Sequence, residues 1–326
     1  MGEEDSVLRT PVADDEKFHE RLFRGGRANT QVFWPDKGCA VPQAALSQTC
    51  QLCFKAPMSA MDLKGRWALV TGASSGLGRE IARDLALRHG ANLILVARRR
   101  ERLQGLRQEL EQSARIQAKV VAADLARAED VERMFHAATD DAEVYAVVLN
   151  AGVTHFGHHR DLSWEGFQAL LDTNVTSTVR LVSRFVPYLI ERDQGGGLML
   201  VTSLTGLVPT PYQTAYSASK AFLTTFGQGL YHELSGENVS LTTFAPGGIT
   251  TEMSIENGLQ DAFGDSLQMM DAAVCARAAV DAMVARRYLA VPGWFNQFQL
   301  LLPRLLPRKL VGTVVARAYR KAIGQG

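Results

Sequence analysis

Tyr216 and Lys220 stand four residues apart in the run Tyr216-Ser217-Ala218-Ser219-Lys220, and Ser203 lies thirteen residues before the tyrosine. On a helix, residues four apart share a face, so a phenol and an ammonium would point the same way with one turn between them. A phenol with an ordinary pKa of about 10 is a poor acid–base group at neutral pH. An ammonium one turn away favours the phenolate and draws that pKa toward the working range. The pair is therefore a candidate proton-transfer centre, and a serine hydroxyl beside it could hold a carbonyl oxygen. Taken alone, this spacing is also that of any exposed helix carrying a tyrosine and a lysine, so its weight depends on the elements built around it.

Those elements begin at Asp62. Trp67–Thr71 is a short apolar run suited to a buried strand, followed by Gly72-Ala73-Ser74-Ser75-Gly76-Leu77-Gly78 and an amphipathic helix through about His89. In that order the glycines have distinct uses. Gly72 permits a tight turn, Gly76 lets a pyrophosphate approach the backbone, and Gly78 lets helix and strand pack closely, while the free N–H groups of the helix start attract phosphate. Strands then alternate with helices: Asn92–Ala97, helix Arg100–Ser113; Ala118–Ala123, helix Ala128–Ala138; Val144–Leu149, a long helical region Ser163–Glu191; Leu198–Thr202, the helix of Tyr216 and Lys220; Ser240–Phe244, helix Asp271–Val284; and a last short strand Leu289–Val291. Seven strands in such alternation predict an α/β, Rossmann-type, doubly wound parallel sheet with helices on both faces. Ligands of such sheets bind beyond the carboxyl ends of the strands, where Asn150-Ala151-Gly152, Ser203 and Pro246-Gly247 all fall.

The chain of 326 residues, 46% apolar and of formal net charge +1, can bury a large core and carries no charge excess suited to nucleic acid. Its apolar runs are broken before the roughly 18 residues of a membrane span. The acidic start Met1-Gly2-Glu3-Glu4-Asp5 lacks a secretory signal's apolar core, so a cytoplasmic protein is expected. Residues 1–60 show no sustained periodicity and read as a poorly structured extension. Met58 and Met61 at its end suit a later translation start, and Met1-Gly2 with Ser6 fits a loose myristoylation pattern that the acidic residues weaken. Cys50-Gln51-Leu52-Cys53 with Cys39 supplies three zinc-type ligands and His19 a distant fourth, but no second CxxC completes a site, and no metal is expected. His155, His158 and His159 fall near the expected substrate mouth, where loop histidines are a plainer reading than a metal site.

Over roughly Asp62 to Pro292 the chain resembles the short-chain dehydrogenase/reductase family. The resemblance rests on Thr71-Gly72-Ala73-Ser74-Ser75-Gly76-Leu77-Gly78 as a TGxxxGxG turn, Asn150-Ala151-Gly152, Asn174, Ser203 with Tyr216 and Lys220, and Pro246-Gly247 followed by Thr251. Leu149 replaces a frequent Asn and Thr205 a frequent Ala, at positions to which no chemistry is assigned. The resemblance implies a catalytic domain at 61–292 that moves hydride between a nicotinamide dinucleotide and a carbonyl or alcohol. In it Tyr216 donates the proton, Ser203 orients the carbonyl, Lys220 binds the nicotinamide ribose and lowers the tyrosine pKa, and Asn174 holds a water linking Lys220 to solvent. The cofactor contacts it implies are Gly72, Ser74, Ser75, Gly76, Leu77, Gly78, Asp124, Leu125, Asn150, Ala151, Gly152, Tyr216, Lys220, Pro246, Gly247, Ile249 and Thr251, with Asp124 accepting the adenine amino hydrogens. It also implies a homodimer or homotetramer packed through the helices near Asn174 and Tyr216.

Cofactor choice can be argued from charge. An acid at the end of the second strand would bind a ribose 2′-OH and repel a 2′-phosphate. This chain has Arg98-Arg99-Arg100 there, which favours NADP(H), with Arg98 the first expected contact, Arg99 the second, and NAD(H) the lesser alternative. After Gly247 come Met253, Ile255, Leu259, Phe263, Leu267, Met269 and Met270, a lining suited to a lipid-, steroid- or aromatic-like ketone, or else core residues of a short helix. Residues 293–326 hold six Lys or Arg and no acid, and on a helix Arg308–Ile323 they place Val311, Val314, Val315, Ala318 and Ile323 on one face opposite Arg317, Arg320 and Lys321. Such a helix either caps its own core or a subunit, or lies on an anionic membrane. The competing class is a non-catalytic dinucleotide-binding redox sensor or scaffold, against which the complete set Asn174, Ser203, Tyr216 and Lys220 argues.

Overall fold

A computed structural model of the chain describes residues 58–256, 269–300 and 307–322. The zinc-type set Cys39, Cys50, Cys53 and His19, the extension before residue 58, and Leu259, Phe263, Leu267 and Ile323 lie outside the described residues. All seven expected strands form: β1 (Trp67–Thr71), β2 (Asn92–Ala97), β3 (Ala118–Ala122), β4 (Val144–Leu149), β5 (Gly197–Val201), β6 (Ser240–Phe244) and, after the short pair β7 (Gly248–Ile249) and β8 (Met269–Met270), β9 (Leu289–Ala290). They make one seven-stranded sheet in the order β3-β2-β1-β4-β5-β6-β9, every neighbour parallel. The order reverses direction between β1 and β4, which opens the crevice where ligands of this architecture sit. The β7–β8 pair was not foreseen, because two-residue strands carry no readable period.

The alternation of side chains along each strand divides the core in two. Ala68, Val70, Leu93 and Leu95 face one side, with Ile81 and Leu85 of α1 (Gly76–His89), Leu103 of α2 (Arg100–Ala114) and Ala276 and Val280 of the later helix 272–284. Leu69, Ile94, Val96, Val147 and Leu149 face the other, with Met134 of α3 (Ala128–Thr139). The expected helical region Ser163–Glu191 is not one helix. It runs as α4 (Trp164–Leu171), a π-helical turn Asp172–Thr176, and α5 (Ser177–Arg192), whose Leu181 and Phe185 complete the second face. A π turn inserts a residue into the helix and re-aims its side chains, a feature that often marks a functional site, and here it carries Asn174.

The remaining helices are α6 (Thr214–Glu233), α7 (Glu252–Glu256), α8 (Ala272–Val284), α9 (Trp294–Gln299) and α10 (Arg308–Ala322). Met61 and Leu63 are already core, and the Met61 N–H donates to Val284 O at 2.9 Å, so regular packing starts where the sequence pattern does.

Candidate active site

At the β1/β4 crevice, Thr71 ties the two strands together. Its hydroxyl accepts from the N–H groups of Asn150 (2.9 Å) and Ala151 (3.0 Å) and donates to Val148 O, while Asn150 Nδ2 donates to Thr71 O at 3.0 Å. This seam fixes the glycine turn. Gly72 and Gly76 adopt φ of +71° and +52°, the left-handed region that glycine enters without strain. A Cβ on Gly78 would stand 2.4 Å from Gly72 O, so only glycine lets α1 start this close to β1. The first N–H groups of α1 face a cavity of about 790 Å³, within the usual range for small-molecule sites.

Gly72, Ser74, Ser75, Gly76, Leu77, Gly78, Arg98, Asp124, Leu125, Asn150, Ala151, Gly152, Ser203, Tyr216, Lys220, Pro246, Gly247, Ile249 and Thr251 all line this cavity. The cradle therefore fits a dinucleotide on its own geometry: a bare backbone turn at a helix start, an arginine at the β2 end, and Asp124 at the β3 end. Two contacts within the protein add to the expected set. The guanidinium that reaches the glycine turn is that of Arg99, whose Nη2 donates to Ser75 Oγ at 2.6 Å and to Ser74 Oγ at 3.3 Å, although Arg98 also lines the cavity. Asp124 Oδ1 already accepts from the Ala126 N–H at 3.1 Å, which holds the β3–α3 loop in shape.

Asn174 stands behind the cavity wall and is fully buried. Its amide holds both polar groups of the Val153 backbone, Oδ1 accepting from N at 2.8 Å and Nδ2 donating to O at 2.9 Å, and Nδ2 also reaches Ser219 Oγ at 3.0 Å. The side-chain amide is thus committed to fixing the β4 loop. It still belongs to the cluster, since a Cβ on Gly152 would lie 3.2 Å from Asn174 Oδ1 and 3.4 Å from Lys220 Nζ.

Lys220 is buried and donates to Val201 O, at the end of β5, at 2.9 Å. Burial lowers its pKa to about 8. Its Nζ lies 5.8 Å from the centroid of the Tyr216 ring. Burial in the cavity wall pushes the Tyr216 phenol above its ordinary value, and the hydrogen bond with Ser203 opposes that shift. The net direction is the reverse of the expected one, because the lysine's bond is aimed at the β5 carbonyl while the phenol loses solvent. Ser203 caps a 3-10 turn, Leu204–Gly206, and its Oγ accepts from Thr205 N (3.2 Å) and from Thr205 Oγ1 (2.9 Å). Thr205, given no chemistry in the sequence reading, thus occupies an acceptor position of the serine and leaves the serine's own proton to point elsewhere.

Beyond Tyr216 the wall is apolar. Val311, Val315 and Tyr319 of α10 line the cavity together with Met253, Met269, Leu204 and Val208. The Tyr319 hydroxyl donates to Gln213 Oε1 at 3.4 Å, its ring meets Phe156 edge-on, and Arg320 reaches the Tyr212 hydroxyl, so α10 is docked on the loops that precede α4 and α6. In this structure α10 thus caps its own domain. Val311 and Val315 do share the inner face, Val314 and Ala318 border the cavity from its exposed rim, and Tyr319 was missed because its polar tip gave no apolar signal. Asn296 of α9 was also missed. It is buried over Gly247, with Nδ2 on Pro292 O at 2.8 Å and Oδ1 without a hydrogen-bond partner among the described residues. Ile255 is exposed and Met270 packs on the core, so neither joins the wall. His155, His158 and His159 are not in the wall either; His155 meets His158 O, and the other two contact Tyr212 and Phe167 edge-on.

Comparison with known proteins agrees with this geometry. The chain is 39% identical over 197 residues to an uncharacterized oxidoreductase of Myxococcus xanthus, covering 60% of this chain and 77% of that protein. It is 30% identical over 287 residues to an 11-beta-hydroxysteroid dehydrogenase of Pinus massoniana, covering 82% and 79%. A solved short-chain dehydrogenase from Sphingobium yanoikuyae in complex with NADPH superposes with a TM-score of 0.66 at 28% identity, over 72% of this chain and 92% of that one. The family model for short chain dehydrogenases matches residues 66–262, a span that holds the glycine turn and the Ser203, Tyr216 and Lys220 cluster, and the chain belongs to the short chain dehydrogenase family.

Proposed function

We propose that the chain interconverts an apolar ketone and the corresponding secondary alcohol with NADP(H). The observation that carries this reading is that one cavity is lined by the glycine turn with Arg99, by Tyr216 and Ser203, and by the valines of α10. When bound, the cofactor supplies or takes a hydride at its nicotinamide. The protein's part is to hold and move a proton. For reduction, the donor must carry its proton at neutral pH, and a phenol raised by burial does so. Ser203, with Thr205 on its acceptor side, directs its own proton at the phenol oxygen and would turn it to the carbonyl oxygen once a substrate stands against the phenol. Lys220 supplies positive charge behind the ring. Residues 61–292 are read as the catalytic domain, and α9 and α10 of the extension 293–326 as a substrate wall.

The NADP(H) preference rests on three arginines and no acid at the end of β2. The substrate class rests on the valines of α10 and on Met253 and Met269. The relative named as a steroid dehydrogenase aligns over 82% of this chain, in keeping with that class. No helix among the described residues is long and apolar enough to cross a membrane, yet Trp294, Phe298, Leu310 and Val314 are exposed in a segment with six basic residues and no acid. This rim suits peripheral contact with an anionic bilayer, which flotation with anionic against neutral liposomes would test. Exposed Phe222 on α6, stacked on Phe226, suits a homo-oligomer contact, which light scattering would test.

The catalytic assignment is tested by Tyr216→Phe with a panel of bulky ketones, following NADPH consumption. Turnover should fall by about 10²-fold or more while NADPH binding is retained. Near-normal turnover would refute the assignment.

A further inference from the structure

We propose that Glu252 is a built-in competitor for the 2′-phosphate of NADP(H), its carboxylate holding the Arg99 and Arg102 guanidiniums that the phosphate would otherwise engage. The proposal rests on the NADP(H) reading above. Arg99 leaves the end of β2 and Arg102 follows one turn into α2, so their side chains share a face. Arg102 Nη1 donates to both carboxylate oxygens of Glu252, at 2.7 and 2.6 Å, and Arg99 Nη1 donates to Oε2 at 3.2 Å. The other arms of Arg99 hold Ser74 and Ser75 of the glycine turn. An oxyanion gripped by two guanidiniums beside two serine hydroxyls, at the end of β2, is the arrangement a phosphate monoester would take there.

Glu252 is not a passing surface partner. It follows Thr251, whose Cβ and Cγ2 lie 3.2 Å from where a Cβ on Gly76 would stand, and it lines the same cavity as Arg99. Thr251 is itself locked to Ser254, Thr251 N donating to Ser254 Oγ at 2.9 Å and Ser254 Oγ donating to Thr251 O at 2.8 Å. The carboxylate is therefore tethered next to the arginines, and a tethered group competes at a high effective concentration. Arg102 holds the Glu252 carboxyl below the usual carboxylate range, so it is ionised throughout the neutral region.

A phosphate monoester carries about −1.5 to −2 at neutral pH against −1 for the carboxylate, so it can win the exchange. It must first displace Glu252, whereas a cofactor with a bare 2′-OH need not. Glu252 thus weakens NADP(H) binding selectively and narrows the preference that the arginines alone would set. Because all three side chains are partly exposed, the effect is modest and salt-sensitive.

The test is calorimetric binding of NADPH, NADH, adenosine 2′,5′-bisphosphate and 5′-AMP to the full chain, wild type, Glu252→Gln and Arg99→Glu, at low and high salt. Glu252→Gln should tighten NADPH and the bisphosphate about three- to tenfold, the range for two exposed ion pairs, and leave NADH and 5′-AMP within about twofold. The gain should shrink at about 0.5 M salt. Unchanged or weaker NADPH binding in Glu252→Gln, with discrimination still lost in Arg99→Glu, overturns the competitor role alone. If wild type does not discriminate NADPH from NADH and Arg99→Glu changes nothing, the NADP(H) reading falls and the competitor with it.

Discussion

Replacing Lys220 by Met should abolish turnover and, at neutral pH, stabilise the fold. The lysine is 3% exposed, and burial moves its pKa from 10.5 to about 8. Holding it charged in the folded protein at pH 7 therefore costs about 3 kcal/mol relative to the unfolded chain. Methionine has a similar length and no charge to desolvate, but it leaves Val201 O without the 2.9 Å bond, a loss of about 1 to 3 kcal/mol. The net gain at pH 7 is then between about zero and 2 kcal/mol, while its pH dependence is larger and sharper. Below pH 8 the lysine is charged in both states and the full penalty applies. Between pH 8 and 10.5 the folded state has released the proton and the unfolded state still binds it, so wild-type stability rises with pH. The variant has no such group, and its advantage should fall by about 2 to 3 kcal/mol between pH 7 and pH 10. Urea unfolding of both proteins without nucleotide, followed by tryptophan fluorescence at the two pH values, measures this as a difference in midpoint at equal m. Titrations common to both proteins cancel. A stability difference that stays flat from pH 7 to pH 10 would refute the argument, since it would mean that the lysine is not held against its own desolvation.

Two further substitutions probe the turn that presents Ser203. Thr205→Val keeps shape and removes the hydroxyl that donates to Ser203 Oγ; steady-state assays should show turnover reduced about five- to tenfold with KM for NADPH unchanged, matching one neutral hydrogen bond. Gly206→Ala should be more damaging, because a Cβ there would stand 2.6 Å from Lys220 C and 2.8 Å from Lys220 O, backbone atoms that cannot rotate aside. A loss of about 1 to 3 kcal/mol in urea unfolding, with turnover depressed as α6 shifts, is the expected outcome.

The cofactor half of the site was legible because backbone stereochemistry restricts the residue types that can build it. Gly72 at φ +71° and Gly78 against the Gly72 carbonyl each admit little besides glycine, and the strand, turn and helix around them each leave their own period. The same holds for β4 and β5, whose apolar runs fall within a residue of the expected ends. The break at Asp172–Thr176 was not legible. A π turn keeps helical composition, and nothing in Asp172-Thr173-Asn174-Val175-Thr176 differs from an ordinary turn except the Asn whose amide holds the Val153 backbone. That Arg99 holds Ser75 was also beyond reach, since it depends on which guanidinium the start of α2 turns toward that serine.

The substrate half was less legible for a different reason: its wall is made by side chains that many apolar residues could replace. Met253 and Met269 line the cavity while Ile255 and Met270 do not, and the four cannot be told apart by type. What separates them is their place on α7 and on the β7–β8 pair, two elements too short to carry a period. The capping role of α10 was one of two readings because an apolar face opposite basic residues suits a membrane as well as a core. The polar contacts show the helix seated on its own domain, which leaves its exposed rim open to a bilayer. Tyr319 on Gln213 and Arg320 on Tyr212 join α10 to the segment that leads into the Tyr216 helix, contacts that a bilayer would not provide. On the proposed function, α10 would act on the reaction through position, limiting how far the apolar end of a substrate extends from the phenol, so changes in Val311, Val315 or Tyr319 should alter which ketone is used before they alter how a proton is moved.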